Sequence, residues 1–275
     1  MTDFALTDTQ KQILDTAREF GRKVLQPAEI ALDRIPDPQA AFASDTYRQT
    51  MAAAFALGFH KMTLPEAYGG LGLDPTTSGM VWEELARYGV GFTAGLLAGS
   101  VVPGLISFLA ANNQSLIDRY VIPFCADTTG TLLTAWGSSE PQVGSDGKNY
   151  GDLAVHHRTT ARKVDGGYLL NGAKSAFVSN GGLAATYVVF ACVDASHGLC
   201  GSGAFVVPGD LKTSVTAKIL ATEAALQHTA EMLQVLGGYG ITRDYHLEKY
   251  LRDAQLLPIM DGTNDTLMME VTARF

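Results

Sequence analysis

The sequence of 275 residues predicts an α+β fold that is mainly α: an N-terminal helical domain, a central β-domain and a C-terminal helical domain. Residues from about 7 to 124 carry the apolar spacing of helices. Short β-rich runs separated by turn residues follow, and helical spacing returns after Pro208. We therefore predict domains at 1–124, 125–210 and 211–275.

The helical segments are bounded by capping and breaking residues. Thr7, followed three residues later by Gln10, is typical of a capping box at the start of the first helix. Pro27 is expected to end or kink that helix. Gly58 is expected to stop a second helix over 47–57, and a third is predicted over 76–88 after a glycine-rich loop.

The central β-domain is predicted from five runs rich in β-branched and aromatic residues. Asp165-Gly166-Gly167 is a hairpin signal between two of these runs. The runs cover 132–136, 160–164, 168–170, 187–193 and 204–207. A long helix is then predicted to end at Gly237-Gly238.

Composition excludes several classes of function. The net charge of −8 argues against nucleic acid or an acidic membrane as the main partner. Three cysteines without metal-ligand spacing predict no metal site and a reducing cytoplasm. The apolar region 89–111 is interrupted by Pro103, which argues against a membrane span. His156 and His157, beside Arg158, are expected at a solvated strand end.

Several loops have the residue types that bind a polar or planar ligand, although each alone is also typical of an ordinary turn or cap. The segment 136–146 is rich in serine and glycine. The segment 177–182 places an aromatic residue two positions before a hydroxyl, on one strand face. Asp261 lies shortly before Thr263 and Asn264, either of which could cap the last helix. Beside apolar neighbours Asp261 could instead have a raised pKa and act as a base.

The order of these motifs resembles the acyl-CoA dehydrogenase family across nearly the whole chain. The glycine-rich loop resembles the family's Pro-Glu-x-Tyr-Gly-Gly-x-Gly, and the later motifs occur in family order. They are Pro65 to Gly72, Ser139-Glu140-Pro141 with Gly144-Ser145-Asp146, Asn171 to Lys174, Phe177 to Gly181, Gln234 to Gly238, Arg252-Asp253 and Asp261 to Asn264.

This resemblance implies an FAD site, a homodimer or homotetramer, and a C-terminal helical domain that is an incomplete four-helix bundle. The cofactor-binding residues that it implies are Trp136, Ser138, Ser139, Gly144, Ser145, Phe177, Val178, Ser179, Gln234, Gly237, Gly238, Thr263, Asn264 and Asp265. It also implies that Ser145 and Gly262 contact the substrate.

The implied reaction is α,β-dehydrogenation of an acyl-CoA thioester. Asp261 takes the α-proton, the β-hydride passes to flavin N5, and an electron-transfer flavoprotein reoxidises the cofactor. Because an α-proton beside a thioester is only weakly acidic, donors are needed at the enolate oxygen. The resemblance implies the Asp261 N–H and a ribityl hydroxyl of FAD.

Two departures from the family pattern matter. The usual base is Glu, one methylene longer than Asp261, and Phe177 and Ser179 replace Trp and Thr; a cyclic or otherwise non-linear acyl group is expected. The likeness also jumps between Pro208 and Leu211, where we predict an omitted segment. The alternatives are a flavin oxidase of another carbon acid, similar to nitroalkane oxidase, and a non-catalytic truncated relative.

Overall fold

The computed structural model describes residues 5–175, 178–209, 216–245 and 247–256; within these ranges it describes all side chains except those of residues 38, 39 and 216–225. The chain divides into two compact units. The first comprises Met1–Gly137 and Ala176–Val189, and the second comprises Ser138–Ser175 and Phe190–Phe275. The mainly helical α+β class predicted from the sequence is confirmed.

The first unit is built from helices, and its first helix begins as predicted. The Thr7 hydroxyl accepts from the Gln10 N–H while the Gln10 side chain accepts from the Thr7 N–H, which completes the capping box. The helices are α1 (Asp8–Phe20), α2 (Gln26–Asp33), α3 (Pro38–Ala43), α4 (Thr46–Ala56), α5 (Pro75–Ala86), α6 (Val90–Leu109), α7 (Gln114–Leu116) and α8 (Ile122–Ala126).

Pro27 does not end the helical path, because a wide turn carries the helix through it; a kink at Pro27 stays a prediction. A π-helical turn, Gly21–Leu25, joins α1 to α2. A second π-helical turn, Ile117–Val121, ends two residues before Pro123, as the first ends two residues before Pro27. Proline lacks an N–H and collides with the carbonyl four residues earlier, so a turn of wider spacing relieves the conflict.

The core of the first unit is dense and aromatic. Phe55, Phe124 and Leu85 are 0 to 1% exposed. His60, also 1% exposed, stacks on Phe55 with ring centroids 4.0 Å apart. Its Nε2 donates to the Phe124 carbonyl at 3.1 Å, which leaves Nδ1 without a partner among the described residues. Burial, reinforced by the charge of Lys61, lowers the pKa of His60 to about 4.

Helix α6 runs unbroken through Pro103 and packs against strand β1 (Thr134–Gly137). Among the described residues it is the one helix long and apolar enough to cross a membrane, but half of its apolar stretch is buried inside the protein. A buried core helix has the same composition, so this is weak evidence for a span. In the first unit β1 pairs in parallel with the start of β4 (Thr186–Cys192).

The second unit holds the remaining strands and the last two described helices. Strands β2 (Thr160–Val164) and β3 (Gly167–Asn171) form the hairpin predicted at Gly166, which has a φ of 82°. Thr160 of β2 faces Cys192, and β5 (Ser202–Pro208) also pairs with β4. Helices α9 (Thr216–Leu236) and α10 (Leu247–Leu256) pack on each other.

All five predicted strands are present, within two residues of the expected starts. The helices predicted over 47–57 and 76–88 are α4 and α5, and Gly58 ends α4 in a left-handed conformation with φ 80°. The three-domain division stays a prediction, as does the omitted segment after Pro208, because residues 210–215 lie outside the described ranges.

The glycine-rich loop before α5 predicts a sharp contrast between two Gly-to-Ala variants. A Cβ at Gly70 would lie 2.1 Å from the Leu64 carbonyl oxygen, whereas one at Gly79 meets nothing within 4 Å. We expect Gly70→Ala to cost about 3 kcal/mol of unfolding free energy. Gly79→Ala, in an exposed helical position, should instead gain about 0.5–1 kcal/mol. Urea denaturation measures both, and equal effects would contradict this account of the loop.

The buried His60 predicts a loss of stability in mild acid. The unfolded chain binds a proton near pH 6.5, whereas folded His60 stays neutral until about pH 4. Its contribution is therefore complete above pH 6.5 and declines between pH 6.5 and 4, by up to about 1.4 kcal/mol per pH unit. Urea denaturation at pH 7 and pH 5 measures the unfolding free energy, which should change less between the two pH values in His60→Phe than in the wild type. The same change in both proteins would refute this.

Candidate functional site

In the second unit, the predicted ligand-binding residues lie on an exposed loop, 138–146, that we call the serine loop. Ser139, Gly144 and Ser145 are exposed and Ser138 is half-buried, whereas Glu140 and Val143 between them are buried. Glu140 and Val143 exchange two backbone hydrogen bonds of 2.9 and 3.2 Å across the intervening turn. The serine hydroxyls and the glycine backbone of the loop are therefore exposed to solvent, while the side chains of Glu140 and Val143 anchor the loop in the protein interior.

The far end of the serine loop is shaped by Asp146. Its carboxylate accepts from the Gly144 N–H at 2.7 Å, and a short 3-10 turn, Ser145–Lys148, follows. A Cβ on Gly144 would meet no atom closer than 4.0 Å, so space remains beside the backbone for a ligand. This is the arrangement in which a loop can receive a polar or planar group.

In the first unit, the predicted residues Val178 and Ser179 are held by Asn180. Asn180 adopts a left-handed φ of 60°, which few residues other than glycine tolerate. Its Nδ2 donates to the carbonyls of Gly95 at 2.8 Å and Thr134 at 3.1 Å. Ser179 is exposed and Val178 half-buried, so the hydroxyl is displayed while its neighbour fixes the loop.

Tyr47 completes the attachment of this loop to the helices. Its hydroxyl donates to Asn180 Oδ1 at 2.6 Å, and its ring stacks on Phe92 with centroids 5.2 Å apart. Burial raises the pKa of Tyr47, which keeps the phenol protonated as a donor. The predicted Trp136 belongs to β1 of the same unit, two residues after Thr134, and is paired in register with Val188.

A cavity of about 410 Å³ opens in the first unit beside Ser179. Its wall combines the apolar ring of Phe42 with the polar groups of Tyr47 and Arg48. The rest of the lining comes from the loop 179–183, from two glycines of α6, and from Leu32, Ala41 and Ser44; the glycines are Gly91 and Gly95. Arg48 is exposed and has no ion-pair partner among the described residues. The cavity is therefore suited to an amphipathic ligand with an apolar body.

The predicted residues Gln234, Gly237 and Gly238 are exposed at the end of α9 in the second unit. Gly237 takes the left-handed φ of 53° expected of a helix terminus. A Cβ added at either glycine would meet nothing within 4 Å. The backbone here is open to close approach by a ligand or another chain.

The remaining predicted site residues lie outside the described residues, and their roles stay predictions. They are Phe177, Asp261, Gly262, Thr263, Asn264 and Asp265.

The expectation for the histidine pair is corrected. His157 is 5% exposed, and its Nδ1 lies 2.9 Å from the Ser202 hydroxyl. The exposed neighbour Arg158 suggested a solvated position for His157. The residue that His157 contacts, Ser202, lies 45 residues away in sequence and has no local signal. The roles of Tyr47 and Arg48 were missed altogether. No local pattern marks them, whereas Asn180 before a glycine is a signal for left-handed backbone.

Comparisons with known proteins identify the family. Residues 7–126 match the model of the acyl-CoA dehydrogenase N-terminal domain, and residues 202–275 match that of the acyl-CoA dehydrogenase C-terminal domain. The chain belongs to the acyl-CoA dehydrogenase family.

One similar protein is the cyclohex-1-ene-1-carbonyl-CoA dehydrogenase of Geobacter metallireducens, 31% identical over 74% of this chain and 48% of the relative. The chain spans about half the length of the curated relatives that it matches first.

Two solved structures share the fold. Acyl-CoA dehydrogenase complexed with FAD from Bacillus anthracis matches with a TM-score of 0.60 and 19% identity, covering 100% of this chain and 68% of that one. Nitroalkane oxidase in complex with spermine matches with a TM-score of 0.66 and 16% identity, covering 99% and 96%.

The attachment of the 178–182 loop predicts a graded series of stability losses. Tyr47→Phe removes one hydrogen bond and should cost about 1 kcal/mol. Asn180→Gly keeps the left-handed backbone but loses all three bonds, so about 2–3 kcal/mol is expected. Asn180→Ala adds backbone strain of about 1 kcal/mol. Chemical denaturation measures the order, and equal stability of the glycine and alanine variants would show that the backbone conformation carries no cost.

Proposed function

We propose that this protein is an FAD-dependent acyl-CoA dehydrogenase that introduces a double bond between the α and β carbons of an acyl-CoA thioester. The observation that carries the proposal is the family match at both ends of the chain, with the serine loop and the 178–182 loop between them. Both loops display hydroxyls on anchored backbone, as a ligand-binding surface requires.

The described residues fit the proposed cofactor. Exposed hydroxyls of Ser139 and Ser145, with half-buried Ser138, offer donors and acceptors, and Gly144 leaves room beside them. These groups suit the polar edge of a flavin ring. The implied residues that would hold FAD in the first unit are Trp136, Val178 and Ser179, joined by Phe177; in the second unit they are Gln234, Gly237 and Gly238, joined by Thr263, Asn264 and Asp265. When bound, FAD supplies the acceptor for the substrate's β-hydride.

Asp261 is the proposed base. A carboxylate accepts the α-proton only within hydrogen-bond reach, about 2.6–3.2 Å between heavy atoms. The Asp261 N–H would donate to the thioester oxygen, where negative charge develops. Gly262 and Ser145 are the proposed substrate contacts.

The proposed substrate is a cyclic or otherwise non-linear acyl-CoA. Asp is one methylene shorter than the Glu that is usual at this place, so the α-carbon must lie nearer the backbone. The similarity to an enzyme named for cyclohex-1-ene-1-carbonyl-CoA supports this choice. The proposed electron acceptor is an electron-transfer flavoprotein, and the proposed location is the cytoplasm.

A homo-oligomer, dimer or tetramer, is proposed from the apolar residues left open on the second unit. Val235 is 78% exposed and Ile241 70% exposed, beside Tyr239 at 68%. Exposed apolar groups in this number are typical of surfaces that a subunit covers.

A second candidate is a flavin oxidase acting on another carbon acid, which the Asp at the base position favours. Both candidates predict a yellow protein. An anaerobic titration with a cyclic acyl-CoA and with a nitroalkane separates them, because only the substrate that is oxidised bleaches the flavin. A purified full chain that binds no FAD would support the third possibility, a non-catalytic relative.

Asp261→Ala should still bind FAD, but the rate at which the acyl-CoA reduces the flavin should fall about a thousandfold, because the α-proton then has no acceptor. Asp244→Ala is the matched control, because Asp244 is an exposed aspartate in the second unit. Stopped-flow absorbance of the flavin measures both. Unchanged reduction in Asp261→Ala would move the base elsewhere.

A further inference from the structure

The serine loop rests on a buried charge pair for which the proposed reaction has no use. The Glu140 side chain is 0% exposed and that of Lys174 is 14% exposed. Lys174 Nζ lies 2.6 Å from Glu140 Oε1, which also accepts from the Thr159 N–H at 3.0 Å. The other carboxylate oxygen accepts from the Arg158 N–H. Glu140 thus ties its own loop to the start of β2 and to the segment after β3.

Lys174 and its neighbour also hold the loop backbone directly. Lys174 Nζ donates to the Ser138 carbonyl at 3.2 Å, and the Ser175 N–H donates to the Ser139 carbonyl at 2.8 Å. Two consecutive carbonyls of the serine loop are therefore fixed by two consecutive residues. This fixes the backbone from which the exposed Ser139 side chain projects.

The charges of the cluster are balanced inside the protein. Burial acts to raise the pKa of Glu140, but the bonds from Lys174, Thr159 and Arg158 outweigh it and the pKa is lowered. Burial, opposed by Glu140, lowers the pKa of Lys174. His157 faces the pair, and burial together with the charge of Lys174 lowers its pKa. Glu140 remains an anion that Lys174 neutralises.

Stability alone does not account for such a pair. The cost of removing two charges from water commonly equals or exceeds their attraction, so a buried ion pair is weak evidence for stabilisation. The ion pair does fix local geometry, because charge-assisted hydrogen bonds are short and hold the two side chains and their backbone partners in few relative positions. Here the fixed atoms are the carbonyls of the two serines that the flavin would contact.

We propose that Glu140 and Lys174 are positioning residues for the flavin: they lock the carbonyls of Ser138 and Ser139 so that the opposite, exposed edge of the serine loop is preorganised for the isoalloxazine ring. This inference rests on the proposed FAD-dependent function. An ammonium group has three N–H donors, and the described residues accept two of those of Lys174. Both acceptors belong to the serine loop, so the ammonium group acts on the backbone of that loop and on Glu140.

The test is FAD binding by the apo form of the full chain. Lys174→Met and Glu140→Gln each leave one partner facing an unmatched group, and we expect the FAD dissociation constant to rise about tenfold or more. Lys174→Arg keeps the charge and should recover part of the affinity. Lys163→Met is the matched control, an exposed lysine in the same unit, and should bind FAD as the wild type does.

A second measurement separates positioning from general folding. Hydrogen exchange should quicken at the amides that donate to this loop, those of Ser175, Arg158 and Thr159, in Lys174→Met while core amides stay protected. The visible spectrum of the bound flavin should also shift. If Lys174→Met does not fold, Lys174→Arg carries the test: intermediate affinity supports the proposal, and wild-type affinity overturns it. Wild-type affinity in both single variants would also overturn it. A wild type that binds no FAD overturns the proposed function as well.

Discussion

The first unit depends on Asn180, whose side chain ties helix α6 to strand β1 beside two glycines of the helix. A Cβ at Gly95 would lie 2.1 Å from the Tyr47 hydroxyl, and one at Gly99 would lie 3.4 Å from Asn180 Nδ2. The space left by the missing side chains is filled by Asn180, which binds the backbone of both the helix and the strand. The helix, the strand and the loop are thus held by one side chain, and a larger residue at Gly95 would displace the Tyr47 hydroxyl that also binds it.

In each unit an exposed serine lies next to a residue that anchors the loop backbone, but the anchoring residue differs. In the first, an exposed hydroxyl at Ser179 stands next to an anchored amide at Asn180; in the second, exposed Ser139 stands next to buried Glu140. The group offered to a ligand and the group that fixes the backbone are neighbours in sequence. A short loop can then be both accessible and rigid, which lowers the entropy that binding costs.

Local features of the sequence predicted the elements well, because local chemistry determines them. The capping box at Thr7 and the turn at Gly166 involve residues at most three apart. Burial and long-range partners were not predictable in this way. Tyr47 and Asn180 are 133 residues apart, and His157 depends on Ser202. The ordered motifs predicted the serine loop, but no local pattern predicts that Glu140 pairs with Lys174, which lies 34 residues further along the chain.

The π-helical turns before Pro27 and Pro123 show where a helix of this chain accommodates an extra residue. Each π turn holds one residue more than an α-helical turn needs, so it is a point where the helix already accommodates an inserted residue. The proline fixes that surplus in place, since closing the turn would restore the collision with the preceding carbonyl. Proline, interpreted from the sequence as a stop, here follows a wider turn and the helical path continues through it.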